Sequence, residues 1–149
     1  MDFMKGYNGK ILKVDLTNKV VSTIPLEKDL VEKFLGGAGY ATAVLFKMLN
    51  KDTDPLGPDN VLFFMSGPLL GSFATCTGRL AVCAKSPYTG ILGESNCGNL
   101  IAPHIKQAGF DGIIITGSSE SPVYLEITDD KAEIKDAAHV WGKGIVETS

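Results

Sequence analysis

Arg79 is the side chain of this sequence best suited to holding a ligand. It stands within Ser66 to Asn99, which reads Ser-Gly-Pro-Leu-Leu-Gly-Ser-Phe-Ala-Thr-Cys-Thr-Gly-Arg, then Leu-Ala-Val-Cys-Ala-Lys-Ser-Pro-Tyr-Thr-Gly, then Ile-Leu-Gly-Glu-Ser-Asn-Cys-Gly-Asn. A guanidinium presents a planar fork of donors that suits a phosphate or carboxylate gripped at two points. Around it, two loops of small hydrogen-bonding residues bracket two short apolar runs, Leu80 to Ala84 and Ile91 to Leu92. Glycine in such loops removes the Cβ that would hold a ligand off the backbone and permits φ > 0. Ser, Thr and Asn satisfy local backbone groups without bulk. Two structural alternatives stand beside the binding role. Arg79 could pair with Glu94 or another acid across neighbouring strands, and Asn96 could be a turn residue tolerant of left-handed geometry.

The other reactive residues are less suggestive. Cys76, Cys83 and Cys97 are separated by six and thirteen residues, which matches neither C-x-x-C nor a cluster-binding run. Cys83 lies in an apolar run and reads as a small buried hydrophobe. Cys76 and Cys97, in the polar loops, are expected to be free thiols in a reducing compartment. His104 reads as a surface or cap residue and His139 as structural. Gly36, Gly37 and Gly39 are not a dinucleotide fingerprint, because they follow a helix and Thr42 stands where the third glycine should be; they read as a tight joint between two helices.

Elements that would position these residues can be read from hydrophobic periodicity. Leu12, Val14 and Leu16 alternate with Lys13, Asp15 and Thr17, and Val20 to Ile24 answers them after Asn18-Lys19, which predicts a hairpin. Leu26, Leu30, Val31, Phe34 and Leu35 fall on one helical face, and Gly36 and Gly37 are expected to end that helix. Tyr40 to Leu49 reads as a buried helix, Asp54 to Pro58 as a stop, and Val61 to Met65 as an interior strand. Pro103 is expected to start a short helix that ends at Gly109. Gly112 to Thr116 predicts a strand. Val123, Leu125 and Ile127, a turn at Asp129-Asp130, and Ala132 to Asp136 predict a second hairpin. The likeness of the two hairpins suggests an internal duplication in which each completes the other half's sheet. Gly142 to Ser149 reads as a helix opening without a C-cap, so the chain is expected to be cut short at its C-terminal end.

Composition sets the outer limits. A chain of 149 residues with 44% hydrophobic residues, 21% charged residues and a formal net charge of −3 suits one globular domain. It offers no basic stripe for nucleic acid. No apolar stretch approaches the ~20 residues of a membrane span, and a cytoplasmic protein is the default expectation.

The order and spacing of many short motifs resemble the N-terminal domain of the tungsten-containing aldehyde ferredoxin oxidoreductases. They are Gly9-Lys10-Ile11-Leu12 with Val14-Asp15-Leu16-Thr17, Phe34-Leu35-Gly36-Gly37, Asp54-Pro55-Leu56, Ser66-Gly67-Pro68-Leu69, Gly78-Arg79, and Lys85-Ser86-Pro87 with Thr89-Gly90. Ser95-Asn96, Lys106 with Ala108-Gly109-Phe110-Asp111, Pro122-Val123-Tyr124 and Trp141-Gly142-Lys143 continue the series. The resemblance implies an α+β fold of β-rich mixed sheets with short helices, in which residues 1–149 form a tungstopterin-binding N-terminal domain. It implies a tungsten atom chelated by the dithiolenes of two pterins, aldehyde oxidation to carboxylic acids, and electron transfer through a [4Fe-4S] cluster to ferredoxin. By position, Arg79 would contact the pterin and its phosphate. Asn96 would bind the cofactor and offer its main-chain carbonyl to a magnesium ion bridging the two phosphates, and Gly98 would approach the pterin by main chain. The cluster and the acid–base residues would belong to later domains, so the isolated chain is expected to be inactive and to contribute no catalytic residue. A homodimer is left open. Relatives that reduce carboxylates or aromatic acyl thioesters, and a non-catalytic pterin-carrier or partner-binding subunit, are the alternatives. The sequence departs from the family's pattern at Ala38, Cys76, Cys97, Asn99 and His104.

Overall fold

The structure, a computed structural model, describes residues 5–98 and 100–148; Asn99 and the terminal residues 1–4 and 149 lie outside them. Six strands form the main sheet. They are β1 (Lys10–Asp15), β2 (Val20–Pro25), β3 (Val61–Met65), β4 (Arg79–Lys85), β5 (Leu92–Gly98) and β6 (Gly112–Thr116), in the order β2-β1-β6-β3-β4-β5. β1 and β6 run parallel, and every other neighbouring pair is antiparallel.

Side-chain alternation divides the core in two. Ile11, Val61, Phe63, Met65, Ala81, Cys83 and Ile114 face α1 (Lys28–Phe34) and α2 (Gly37–Met48). Leu12, Val14, Leu80 and Ile113 face the opposite way, toward α3 (Ile101–Gln107) and toward Leu125, Ile127, Ala132 and Ile134 of a second hairpin, β7 (Val123–Thr128) and β8 (Lys131–Asp136). Covered on both faces, β6 therefore reads as the unbroken apolar run Ile113-Ile114-Ile115. A last short helix, α4, spans Ile145–Thr148.

The predicted elements are present with informative shifts. The first hairpin is joined by the four residues 16–19, because the ladder closes at Asp15↔Val20. Helix α1 is ended by Leu35, at φ 61 and ψ −71, and not by the glycines; the N–H of Gly36 donates to Phe34 O at 2.7 Å, which makes Leu35 the centre of a strained γ-turn. Gly37 instead opens α2, three residues before the predicted start. That helix buries Tyr40, Ala41, Val44 and Leu45 but leaves Phe46 87% exposed, so it is amphipathic and not buried all round. Helix α3 begins at Ile101, which places Pro103 inside its first turn, where its missing N–H costs nothing.

Two expectations are corrected. The polar run from Gly93 to Gly98, expected as a loop, continues from Leu92 as strand β5. The two hairpins also do not complete each other's sheets. β1 joins β6 in the main sheet, whereas β7 and β8 pair only with each other among the described residues. Each hairpin pairs as its own alternation predicts, but sheet membership depends on partners far away in sequence.

At the far end of β4, the Lys85 ammonium donates to three carbonyls that follow α2, those of Asn50 at 3.2 Å, Lys51 at 2.7 Å and Thr53 at 2.7 Å. This ties the helix exit to the sheet. Among the described residues no helix is long and apolar enough to cross a membrane.

Candidate functional site

β4 and β5 bring the three residues singled out from sequence to one corner. Arg79, the first residue of β4, lies directly opposite Gly98, and Ala81 lies opposite Asn96. Opposed and alternate residues of an antiparallel pair share a face, so Arg79, Asn96 and Gly98 project on the same side of the sheet as Ala81, the side that carries α1 and α2. All three are exposed. β5 is also an edge strand among the described residues, so one side of its main chain offers N–H and C=O groups that no strand of this sheet takes.

The ion-pair alternative for Arg79 is not realised. No described carboxylate comes within ion-pairing distance of its guanidinium. Glu94 sits opposite Cys83, four residues up the strand from Gly98, and its Oε1 accepts the Asn96 side-chain N–H at 3.1 Å. From sequence alone Glu94 is expected only as a partner for Arg79. The signal that would have placed it beside Asn96 is the i, i+2 row Glu94, Asn96, Gly98, visible only once the segment is read as a strand.

A Cβ built on Gly98 or on Gly78 would meet nothing within 4 Å, so the main chain on both sides of Arg79 is bare. Between β3 and Arg79 runs the 66–78 loop. Its root residue, Ser66, is buried, and its carbonyl accepts the N–H of Gly37 at the start of α2, at 2.9 Å. The start of α2 and the start of β4 therefore lie at the same end of the sheet.

The remaining candidates fall elsewhere. Cys97 is opposite Leu80 and so faces away from Asn96; Cys76 is exposed in the loop at φ 61. Cys83 is buried within the core, and that burial, with Glu94 adding to it, pushes its thiol up to about 11. Two reactive thiols and one protected thiol are therefore expected when the native chain is titrated with a disulfide reagent at pH 8, the third reacting only on unfolding. The raised value also fixes the sign of an alkaline effect. Above pH about 9 the unfolded chain releases the Cys83 proton while the folded chain keeps it, so stability falls as pH rises toward about 11. Urea midpoints measured for the chain and for Cys83→Ala across that range check it, since the variant should lack this component of the slope.

His104 is exposed on α3, with Nδ1 3.2 Å from Gln107 Oε1, and His139 stacks edge-on against Tyr124 with ring centroids 6.2 Å apart. Among the described residues no three His, Cys, Asp or Glu side chains converge into a group that could hold a metal ion. An apolar hollow of about 430 Å³, lined by Leu45, Phe46, Leu49, Ile91 and Leu92, lies beside Lys85 at the opposite end of β4 from Arg79, roughly 20 Å along the strand.

Comparison with known proteins decides the family. The model of the aldehyde ferredoxin oxidoreductase N-terminal domain matches residues 11–149. The chain belongs to this family. It is 42% identical over 145 residues to the tungsten-containing aldehyde ferredoxin oxidoreductase of Pyrococcus abyssi, a match covering 97% of this chain and 24% of that protein. It is likewise 42% identical over 147 residues to the WOR-like subunit of an aliphatic sulfonate oxidoreductase of Pyrococcus furiosus, covering 97% of this chain and 23% of the relative. Among solved structures, the active-site complex BamBC of benzoyl coenzyme A reductase with 1,5-dienoyl-CoA superposes with a TM-score of 0.95 at 38% identity, covering 98% of this chain and 22% of that one. The chain thus spans about a quarter of the length of these relatives, and the aldehyde ferredoxin oxidoreductase family it belongs to is one of oxidoreductases with more than one substrate among them.

Proposed function

We propose that this chain is the cofactor-binding floor of a tungsten-dependent oxidoreductase, and that the whole protein oxidises aldehydes to carboxylic acids and delivers the electrons to ferredoxin. The observation that carries the reading is the exposed corner in which Arg79, free of any described acid, faces the bare main chain of Gly98 with Asn96 two residues away. The donor set suits a flat, phosphorylated pterin. Arg79 grips phosphate at two points. Asn96 would bind the cofactor and offer its main-chain carbonyl as a hard oxygen ligand to a magnesium ion. Gly98 admits the pterin to the backbone. When bound, the group supplies two-electron redox chemistry at a tungsten atom held by the pterins' own sulfurs. The chain's part is to bind and orient it, and in this reading the [4Fe-4S] cluster and the proton-transferring residues lie in other domains, leaving the isolated chain inactive.

The test is titration of the chain with a phosphorylated pterin, followed by pterin fluorescence. Saturable binding is expected, weakened in Arg79→Ala by about tenfold or more, the value of a lost charge-assisted pair at ~1.5–3 kcal/mol. Equal affinity in that variant, or no saturable binding by the chain, overturns the reading.

A second reading concerns substrate alone. The 38% identity and TM-score of 0.95 to the benzoyl coenzyme A reductase complex favour reduction of an aromatic acyl thioester over the same floor.

A further inference from the structure

Four segments distant in sequence meet where β3 leaves the sheet. Asp111, completely buried before β6, accepts the N–H of Asn8 at 3.0 Å and of Gly9 at 2.7 Å on its carboxylate, together with the Lys106 ammonium of α3 at 2.5 Å. Its main-chain carbonyl accepts the N–H of Ser66 at 3.0 Å and the Ser66 hydroxyl at 2.6 Å. Ser66 passes the connection on, its own carbonyl accepting the N–H of Gly37 at 2.9 Å. Lys106 also donates to Gly6 O at 2.7 Å, and the Tyr7 hydroxyl donates to the carbonyl of strained Leu35 at 2.8 Å.

Sterics grip the same corner from two sides. Gly6, at φ +93, lies so near Pro68 that an added Cβ would stand 2.6 Å from the Pro68 carbonyl oxygen, and a Cβ on Gly36 would stand 2.8 Å from that of Ser66.

We infer that Lys106 and Asp111 are positioning residues for the cofactor end of the domain. Through Ser66 they fix where the 66–78 loop departs toward Arg79, and through Gly37 where α2 begins. A buried ion pair is a poor device for stability alone, since an apolar pair of the same size does as well. What Asp111 adds is geometry. One residue accepts donors from the 6–9 segment, from α3 and from the root of the loop, and each bond restricts the others. The inference rests on the reading of Arg79 as a ligand contact, but its first measurement does not need a ligand.

That measurement is amide hydrogen exchange on the chain alone, comparing it with Asp111→Asn. The N–H groups of Leu70 and Ser72, bonded within the loop to Gly67 O and Leu69 O, are expected to exchange at least tenfold faster and to stay faster than the β4 amides of Val82 and Cys83, whose rates rise only as far as the variant's global stability falls. Unchanged loop rates, or loop amides that exchange no faster than those of β4 in the variant, overturn the inference. Should Asp111→Asn not fold, Ser66→Ala, which removes only the hydroxyl bond, is judged by the same criteria. Titration with a phosphorylated pterin then separates the two ideas. If the unsubstituted chain binds the probe, affinity is expected to fall about tenfold in Ser66→Ala at a temperature where circular dichroism shows it folded, and equal affinity overturns the inference. If the unsubstituted chain binds nothing, the cofactor reading fails and the exchange result alone decides the positioning role.

Discussion

Replacing Asp111 by alanine is expected to lower the free energy of unfolding by about 3–5 kcal/mol, the cost of breaking a buried ion pair from one side. The carboxylate is fully buried and the Lys106 side chain is only 8% exposed, so water does not screen the loss. The variant leaves an ammonium without its counter-ion and strips the N–H groups of Asn8 and Gly9 of their acceptor. Lys106→Met is expected to cost less than Asp111→Ala, because Asp111 then keeps its two backbone donors. For a chain of this length, 3–5 kcal/mol corresponds to a fall in Tm of roughly 6–20 °C. Urea midpoints for the two variants check the order. Equal stability of Asp111→Ala and the unsubstituted chain would show that the pair contributes nothing.

Phe63→Ala is expected to cost a similar ~3–5 kcal/mol for a different reason, the loss of a large buried ring and the cavity left behind. Phe63 is fully buried at the centre of β3, between Ile114 of β6 and Cys83 of β4, both buried as well. Its ring meets Tyr40 of α2 edge-on at 6.1 Å and stands where a Cβ on Gly112 would touch it at 3.2 Å. Helix α2 therefore loses one of its anchors on the sheet. Phe46→Ala provides the contrast on the same helix. That ring is 87% exposed, and its removal is expected to change stability by no more than ~0.5 kcal/mol. Guanidinium unfolding of both variants tests the assignment of faces, which fails if the two cost the same.

The faces of α2 show why the helix was legible and its orientation was not. Tyr40 to Leu49 is apolar nearly throughout, so periodicity announces a helix without saying which side meets the sheet. Only its packing on β3 and β4 decides that. β5 failed in the opposite way. Gly93, Glu94, Ser95 and Asn96 are poor strand formers, yet seven ladder positions from Lys85↔Leu92 to Arg79↔Gly98 hold them extended against β4. Reading that run as a loop hid the row in which Glu94 binds Asn96.

What the sequence determined by itself is local. Alternation set both hairpins, the unbroken apolar run Ile113-Ile114-Ile115 set β6, and the types of Arg79, Asn96 and Gly98 named the corner to examine, whereas Gly36, Gly37 and Pro103 marked helix boundaries only to within a few residues. These follow from side-chain period and backbone preference, which act within a few residues. Tertiary structure decided the rest. The parallel pairing of β1 with β6, the separation of β7 and β8 into their own sheet, and the meeting of Gly6, Leu35, Ser66 and Asp111 join residues up to about a hundred positions apart. No local preference encodes such contacts, because their free energy appears only when the partners, brought together by burial of the shared core, exclude water from the bonds between them.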